Sequence, residues 1–155
     1  MQIFKKGYEP VTIVIYNRNN DARLNEISLL AIEKNTNKVI SVGEEARKYI
    51  DDDIKDISVV CPLRGGIVAD YTISVKMFQY FIAKALGHRS IFSQKPKIAV
   101  CVPVELTEIE KIAFRDSFYQ AGAKDVLINE IPFEKGIETI TSDYKVIVGI
   151  IPYMN

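Results

Sequence analysis

Hydrophobic and polar positions fall in blocks along this chain, and the blocks differ between its two halves. The β-branched run "VTIVIY" (11–16) predicts a buried strand, closed by the polar turn "NRNND" (17–21). The stretches "EISLLAIEK" (26–34) and "KVISVG" (38–43) flank "NTN" (35–37) and predict a hairpin. A short helix is expected over "EEARKYI" (44–50), an acidic loop over "DDD" (51–53), and a strand over "ISVVCPL" (57–63) that ends at or just before Pro62.

From Thr72 the spacing of Val75, Phe78, Ile82 and Ala85 predicts an amphipathic helix that Gly87 stops. "KIAVCVP" (97–103) predicts a compact strand. Thr107-Glu108-Ile109-Glu110 has the capping-box pattern, in which the threonine hydroxyl and the Glu110 carboxylate satisfy free backbone donors. That helix is expected to run to Ala121 and to end at Gly122, a left-handed C-cap. "KDVLINEI" (124–131) predicts a strand, "FEKGIETI" (133–140) a short helix and "YKVIVGII" (144–151) a final strand. Strands alternating with helices in the second half imply a parallel sheet with helices against it, and the strand-rich first half implies antiparallel pairs. The fold class is α/β, one domain over residues 1–155, without a Gly/Ser linker or an internal repeat.

The helix patterns also nominate a surface. Phe78 and Ile82 share one face, Tyr80 and Lys84 another. In the later helix Ile109, Ile112 and Ala113 are expected to meet the sheet, which leaves Phe114 and Phe118 on a partly exposed stripe rotated by about 100°. Tyr80, Lys84, Phe114, Phe118 and Tyr153 are therefore the candidate protein-interface residues.

Composition narrows the classes. With 155 residues, 48% of them hydrophobic and 26% charged, the chain can bury a sizeable core as a globular domain. Twenty Lys and Arg balance twenty Asp and Glu, so there is no basic excess of the kind a nucleic-acid binder carries. No apolar run reaches the ~20 residues that cross a bilayer, and "MQIFKKGYEP" (1–10) lacks the apolar stretch of a secretory signal. Ile3, Phe4, Lys5 and Lys6 offer too little area for more than peripheral membrane contact. Cys61 and Cys101 lie in separate apolar stretches without metal or redox spacing, which reads as reduced thiols in a cytoplasmic protein.

Three stretches could carry chemistry, each with a plainer reading. Arg64-Gly65-Gly66 in "CPLRGGIVADY" (61–71) could offer backbone donors to a phosphate. It could equally be a turn, with Ile67, Val68 and Ala69 rejoining the core. His88, the single histidine, could act as a base for Cys101 or sit against a helix end. Asp51, Asp52 and Asp53 could hold a cation or form a solvated turn.

Residues 24–50, 62–90 and 97–132 resemble, in that order, the first domain of MreB-like bacterial actins. "GGIVADY" (65–71) ahead of a helix, and "CVPVELTEIEK" (101–111) followed by "QAGAKDV" (120–126), are the most specific pieces. The resemblance implies the actin-like ATPase fold, an RNase-H-like mixed sheet flanked by helices, with a small subdomain inserted at approximately 27–66. It also exposes departures. The family's first phosphate loop, an Asp-Leu-Gly-Thr turn, would fall at "GYEPVT" (7–12), which has no aspartate and whose proline lacks an N–H. The second, Asp-Ile-Gly-Gly-Gly, would follow the final strand, where "VIVG" (146–149) runs into "IIPYMN" (150–155). The family's water-activating glutamate precedes a proline; here Ile131 precedes Pro132, and Glu130, one place earlier, is expected to face the opposite side.

The resemblance and its departures together imply a protein without ATPase activity, cofactor or metal, and without the second nucleotide-binding domain. The surface such a domain would cover is expected to be covered by "IIPYMN" or by a second copy. The implied function is non-catalytic: protein–protein contact, through self-association into a homo-oligomer or on an MreB-type filament, in the context of cell shape. No nucleic acid is involved, and the location is cytoplasmic or at most peripheral to the inner face of the membrane. The alternative is a nucleotide sensor or enzyme with a remodelled site built on Arg64-Gly65-Gly66 or on His88 and Cys101.

Overall fold

A computed structural model describes residues 9–50, 55–87, 95–102 and 105–152. In chain order the elements are β1 (Val11–Asn17), β2 (Ala22–Ile27), β3 (Leu30–Glu33), β4 (Val39–Val42), a 3-10 helix (Gly43–Tyr49), β5 (Ile57–Val60), β6 (Leu63–Arg64) and β7 (Ile67–Val68). The second half holds α1 (Tyr71–Leu86), β8 (Lys97–Cys101), α2 (Glu108–Gln120), β9 (Asp125–Asn129), α3 (Phe133–Thr139) and β10 (Val146–Pro152).

The main sheet has five strands in the order β2-β1-β10-β8-β9. β1 pairs antiparallel with both β2 and β10, whereas β10, β8 and β9 run parallel. The last strand in sequence is thus the middle strand in space. Of "IIPYMN", Ile150, Ile151 and Pro152 do not lie over an outer surface as expected but continue β10, opposite Ile13, Thr12 and Val11, and residues 153–155 lie outside the described residues. The reason is the composition of β10, apolar on both faces from Val146 to Ile151. A strand of that kind is stable where both faces are covered, which is the centre of a sheet packed on two sides.

Period-two alternation then sorts the side chains between the faces. Ile13, Ile15, Ile98, Val100, Val146 and Val148 join the larger core, together with Met77, Phe78 and Phe81 of α1 and Phe114 and Phe118 of α2. Val14, Ala99, Cys101 and Ile147 face the other way and pack with Phe133 and Ile140, so α3 covers that side. The stretch expected as one strand over 26–34 is broken. Ser28 interrupts it, its N–H donating to Val11 O at 3.0 Å and its hydroxyl accepting the Val11 N–H at 2.8 Å. The chain there leaves the main sheet and enters a second, three-stranded sheet of order β4-β3-β5. Ile27, Leu29, Ala31, Ala46 and Cys61 form a separate small core between that sheet and the 3-10 helix.

α2 is rotated from its expected setting. Phe114 and Phe118 are fully buried at 0% exposure, while Ile109 and Ile112 are exposed at 80% and 48%. The buried stripe is Phe114, Ser117 and Phe118, with Ala121 packed against the same core. An aromatic side chain buries ~150–250 Å², so turning two phenylalanines inward outweighs doing so for two isoleucines. The capping box at Thr107 and Glu110 forms as expected, with both reciprocal hydrogen bonds present at 3.2 and 2.8 Å.

Candidate functional site

Of the five candidate interface residues, the structure separates those that face solvent from those that hold the fold. Phe114 and Phe118 belong to the core, and Tyr153 lies outside the described residues. Tyr80 is 45% exposed and sits edge-on to Phe81, with ring centroids 6.1 Å apart. Lys84 is one turn further along α1, and its ammonium lies 2.7 Å from Glu26 Oε2. The Glu26 carboxylate raises the Lys84 pKa by hydrogen bonding to the charged ammonium. The other oxygen of Glu26 accepts the Glu44 N–H at 3.1 Å. Lys84 therefore ties α1 to β2 and the start of the 3-10 helix, rather than standing free on a contact surface. The apolar surface that sequence reasoning missed is the outer face of α2, where Ile109 and Ile112 stand one turn apart. Its signal was present: Phe114, Ser117, Phe118 and Ala121 make a complete i, i+3, i+4, i+7 stripe, whereas the Ile109 stripe ends at Ala113.

Among the described residues, several of those that sequence reading offered for nucleotide chemistry also serve the fold. Arg64-Gly65-Gly66 is the bend of the two-stranded β6–β7 hairpin, not a re-entry into the main sheet. Gly65 and Gly66 have φ of 59° and 90°, the pair of positive values that a two-residue type I′ turn requires. A Cβ at Gly65 would meet nothing within 4 Å, so glycine serves the backbone angle there and not a close approach. The Gly65 N–H already donates to Glu9 O at 2.9 Å. Ile67 and Ala69 remain exposed instead of rejoining the core, and Val68 alone packs against it. At the following helix the Asp70 carboxylate caps α1 by accepting the Ile73 N–H at 3.0 Å.

Glu130, just past β9, is held by two partners from the α2 side. Its carboxylate lies 2.7 Å from Lys111 Nζ and accepts the Leu106 N–H at 3.2 Å. Lys111 first, and the Leu106 N–H second, favour the ionised form and lower the Glu130 pKa. A general base works best with a pKa near the working pH, and the shift at Glu130 runs away from it. Cys101 is fully buried on the sheet, and burial alone pushes its thiol up to about 11. Cys61 is likewise shifted up by burial, beside Ser28 Oγ at 3.6 Å and Leu63 O at 3.2 Å. His88, Asp51, Asp52, Asp53 and residues 3–6 lie outside the described residues. Among the described residues no group of three or more His, Cys, Asp or Glu side chains is placed to hold a metal ion. None of the described helices is long and apolar enough to cross a membrane.

The match of the MreB/Mbl protein family model spans residues 10–145, which includes every element from β1 to α3. This chain belongs to the MreB/Mbl family. It is 39% identical over 120 residues to the cell shape-determining protein Mbl of Bacillus cereus, covering 77% of this chain and 35% of that protein. It is 33% identical over 128 residues to the cell shape-determining protein MreB of Escherichia coli, covering 80% of this chain and 37% of that protein. The chain thus spans little more than a third of the length of these relatives. Its fold is actin-like: it superposes on crystallised MreB5 of Spiroplasma citri bound to ADP with a TM-score of 0.67 at 22% identity, over 84% of this chain and 38% of that one. The central strand β10 begins at Val146, one residue beyond the family match.

Proposed function

We propose that this MreB/Mbl-family chain is an actin-like module that works by protein contact, on a second copy of itself or on an MreB-type filament subunit, without turning over nucleotide. The observation that carries the reading is the outer face of α2. Ile109 and Ile112 are exposed one turn apart, on a helix whose opposite face is fully packed. Exposed isoleucines at helical spacing are an unused apolar surface, and such surfaces commonly mark contacts. The occupied state of Glu130 and the buried thiols support the non-catalytic half of the proposal. The names of the relatives, cell shape-determining proteins, suggest the process in which the contact operates.

Co-sedimentation with polymerised MreB-type protein from the native host, alongside sedimentation velocity of the chain alone, tests the reading. Pelleting with filaments, or a mass that rises with concentration, supports it. A monomer that stays in the supernatant with filaments present overturns it. Calorimetric titration with ATP and Mg²⁺ addresses the alternative of a remodelled nucleotide site, for which saturable heat is the expected sign.

A further inference from the structure

We infer that the end of the sheet where the three parallel strands begin is a binding site for an anionic ligand of the phosphate class. A cavity of about 480 Å³ opens there, lined by Lys95, Lys97, Lys124 and Lys145 with a single carboxylate, Asp143. Volumes of this size accommodate small organic ligands.

Strand register explains why the lysines converge. β10 and β8 pair Val146 with Ile98, which sets Lys145 level with Lys97. β8 and β9 pair Lys97 with Asp125, which sets Lys124 one residue before that level. Neighbouring strands lie ~4.8 Å apart, so Lys97 and Lys145 start side by side at this end of the sheet, and Lys124, one residue earlier and so on the other face by alternation, borders the same cavity. Like charges set side by side on a sheet repel. In a chain whose formal net charge is zero, this grouping is a local excess and not a reflection of composition.

The available counter-charge is small. Asp143 lies 3.4 Å from Lys97 Nζ and also accepts from the Thr141 hydroxyl. Asp125, level with Lys97 in register, accepts from the hydroxyls of Tyr119 at 2.9 Å and Tyr144 at 3.1 Å and also feels the Lys97 charge, so both carboxylates act on Lys97. Among the described residues Lys95, Lys124 and Lys145 enter no ion pair. The segment that carries Ser142, Asp143 and Lys145 is held in place by its neighbours: Arg18 donates to the carbonyls of Ile137, Ile140, Thr141 and Tyr144 at 2.7–3.1 Å, and the Arg18 N–H donates to Lys145 O at 2.9 Å. The Lys124 N–H donates to Pro96 O at 2.8 Å, which pins the two loops that carry Lys95 and Lys124 to each other. Side-chain ammonium groups on a fixed rim, with Asn19 and Ser142 as neutral polar partners, suit a group with several anionic oxygens. A free phosphate compound and a phospholipid headgroup both present that chemistry.

The experiment uses the full chain and a variant carrying Lys95→Gln, Lys124→Gln and Lys145→Gln, with thermal melts of both proteins as the control for folding. Inorganic pyrophosphate is titrated while the backbone amides of Asn19, Lys124 and Ser142 are followed by NMR. In parallel, flotation is measured with vesicles of phosphatidylcholine alone and with phosphatidylglycerol added. The expected result is saturable shifts at those amides, or flotation that requires phosphatidylglycerol, weakened in the triple variant by at least about tenfold, equivalent to ~1.4 kcal/mol. Shifts without flotation assign a free phosphate ligand, and flotation without saturable shifts assigns a headgroup. Neither response in the wild-type chain, or a response that the triple variant retains, overturns the site. A single lysine variant at Lys124 keeps the test decisive if the triple variant melts early.

Discussion

The ring of Phe118 stacks on that of Phe78, with centroids 4.1 Å apart and planes 18° from parallel. This contact joins α2 to α1 above the sheet, and it fixes which face of α2 is left outside. Phe118→Ala is expected to lower stability by ~3–5 kcal/mol, the range for removing a buried aromatic. Ile109→Ser, on the exposed face, is expected to stay within ~0.5 kcal/mol of wild type. Urea denaturation of the two variants measures both, and the reverse ranking would show α2 packed by its isoleucine face.

The Lys111–Glu130 pair predicts a pH window. The Glu130 pKa is held below its usual 4.5, so its carboxylate favours the folded state at neutral pH, and that contribution is lost as pH falls through the lowered value. The Lys111 pKa is held above its usual 10.5, so its contribution is complete below that value and is lost as pH rises through the raised one. Wild type should therefore exceed Glu130→Gln in urea midpoint at pH 7, and the gap should shrink as pH falls below the usual glutamate value and through the lowered one. A gap of unchanged size at the acid end would show that the glutamine packs poorly, and that the ion pair is not the cause.

The extent to which this architecture was legible follows how local each signal is. The capping box at Thr107 and Glu110 and the positive φ at Gly87 and Gly122 were readable, because each depends on a few neighbouring residues. The placement of β10 between β1 and β8 was not. Its pattern says that both faces are buried, but strand order is decided by contacts more than a hundred residues apart, such as Ile13 opposite Ile150. The break at Ser28 was hidden because a serine between isoleucine and leucine looks like one outward position of a single strand. The basic cavity was invisible for the same reason as β10: Lys97, Lys124 and Lys145 meet only once the parallel register exists. The resemblance of residues 24–132 identified the family, yet it carried no information about which face of α2 lies inside.

The central position of β10 makes Gly149 a sensitive site. A Cβ built there would lie 2.7–2.8 Å from Phe133 atoms of α3, closer than packed side chains approach. Gly149→Ala is expected to cost ~1–3 kcal/mol through overpacking. Phe133→Leu in the same chain should recover part of that loss, and a double-mutant cycle of urea midpoints would read the coupling. Additive losses would place the strain elsewhere.

Burial of the thiols predicts their reactivity. The thiolate is the reacting species, and Cys101, with its thiol at about 11, should react with an aromatic disulfide reagent at pH 8 only as fast as the fold opens. Denaturant should therefore raise the rate steeply. Rapid labelling of Cys101 in the native protein would contradict a buried, inert role and revive the alternative of a cysteine nucleophile.

The proposed contact function rests on two side chains that the fold does not use. Ile109→Glu combined with Ile112→Glu adds two carboxylates to a helix turn that already carries Glu108 and Glu110, and so opposes apolar docking without touching the core. Stability should change little, because both positions already face water. Association with a second copy or with filaments should weaken by about tenfold or more, since central interface residues are each worth ~1–2 kcal/mol or above. Tyr80→Ala provides the contrast on α1: loss of binding there, with Ile109 and Ile112 intact, would move the contact surface from α2 to the outer face of α1.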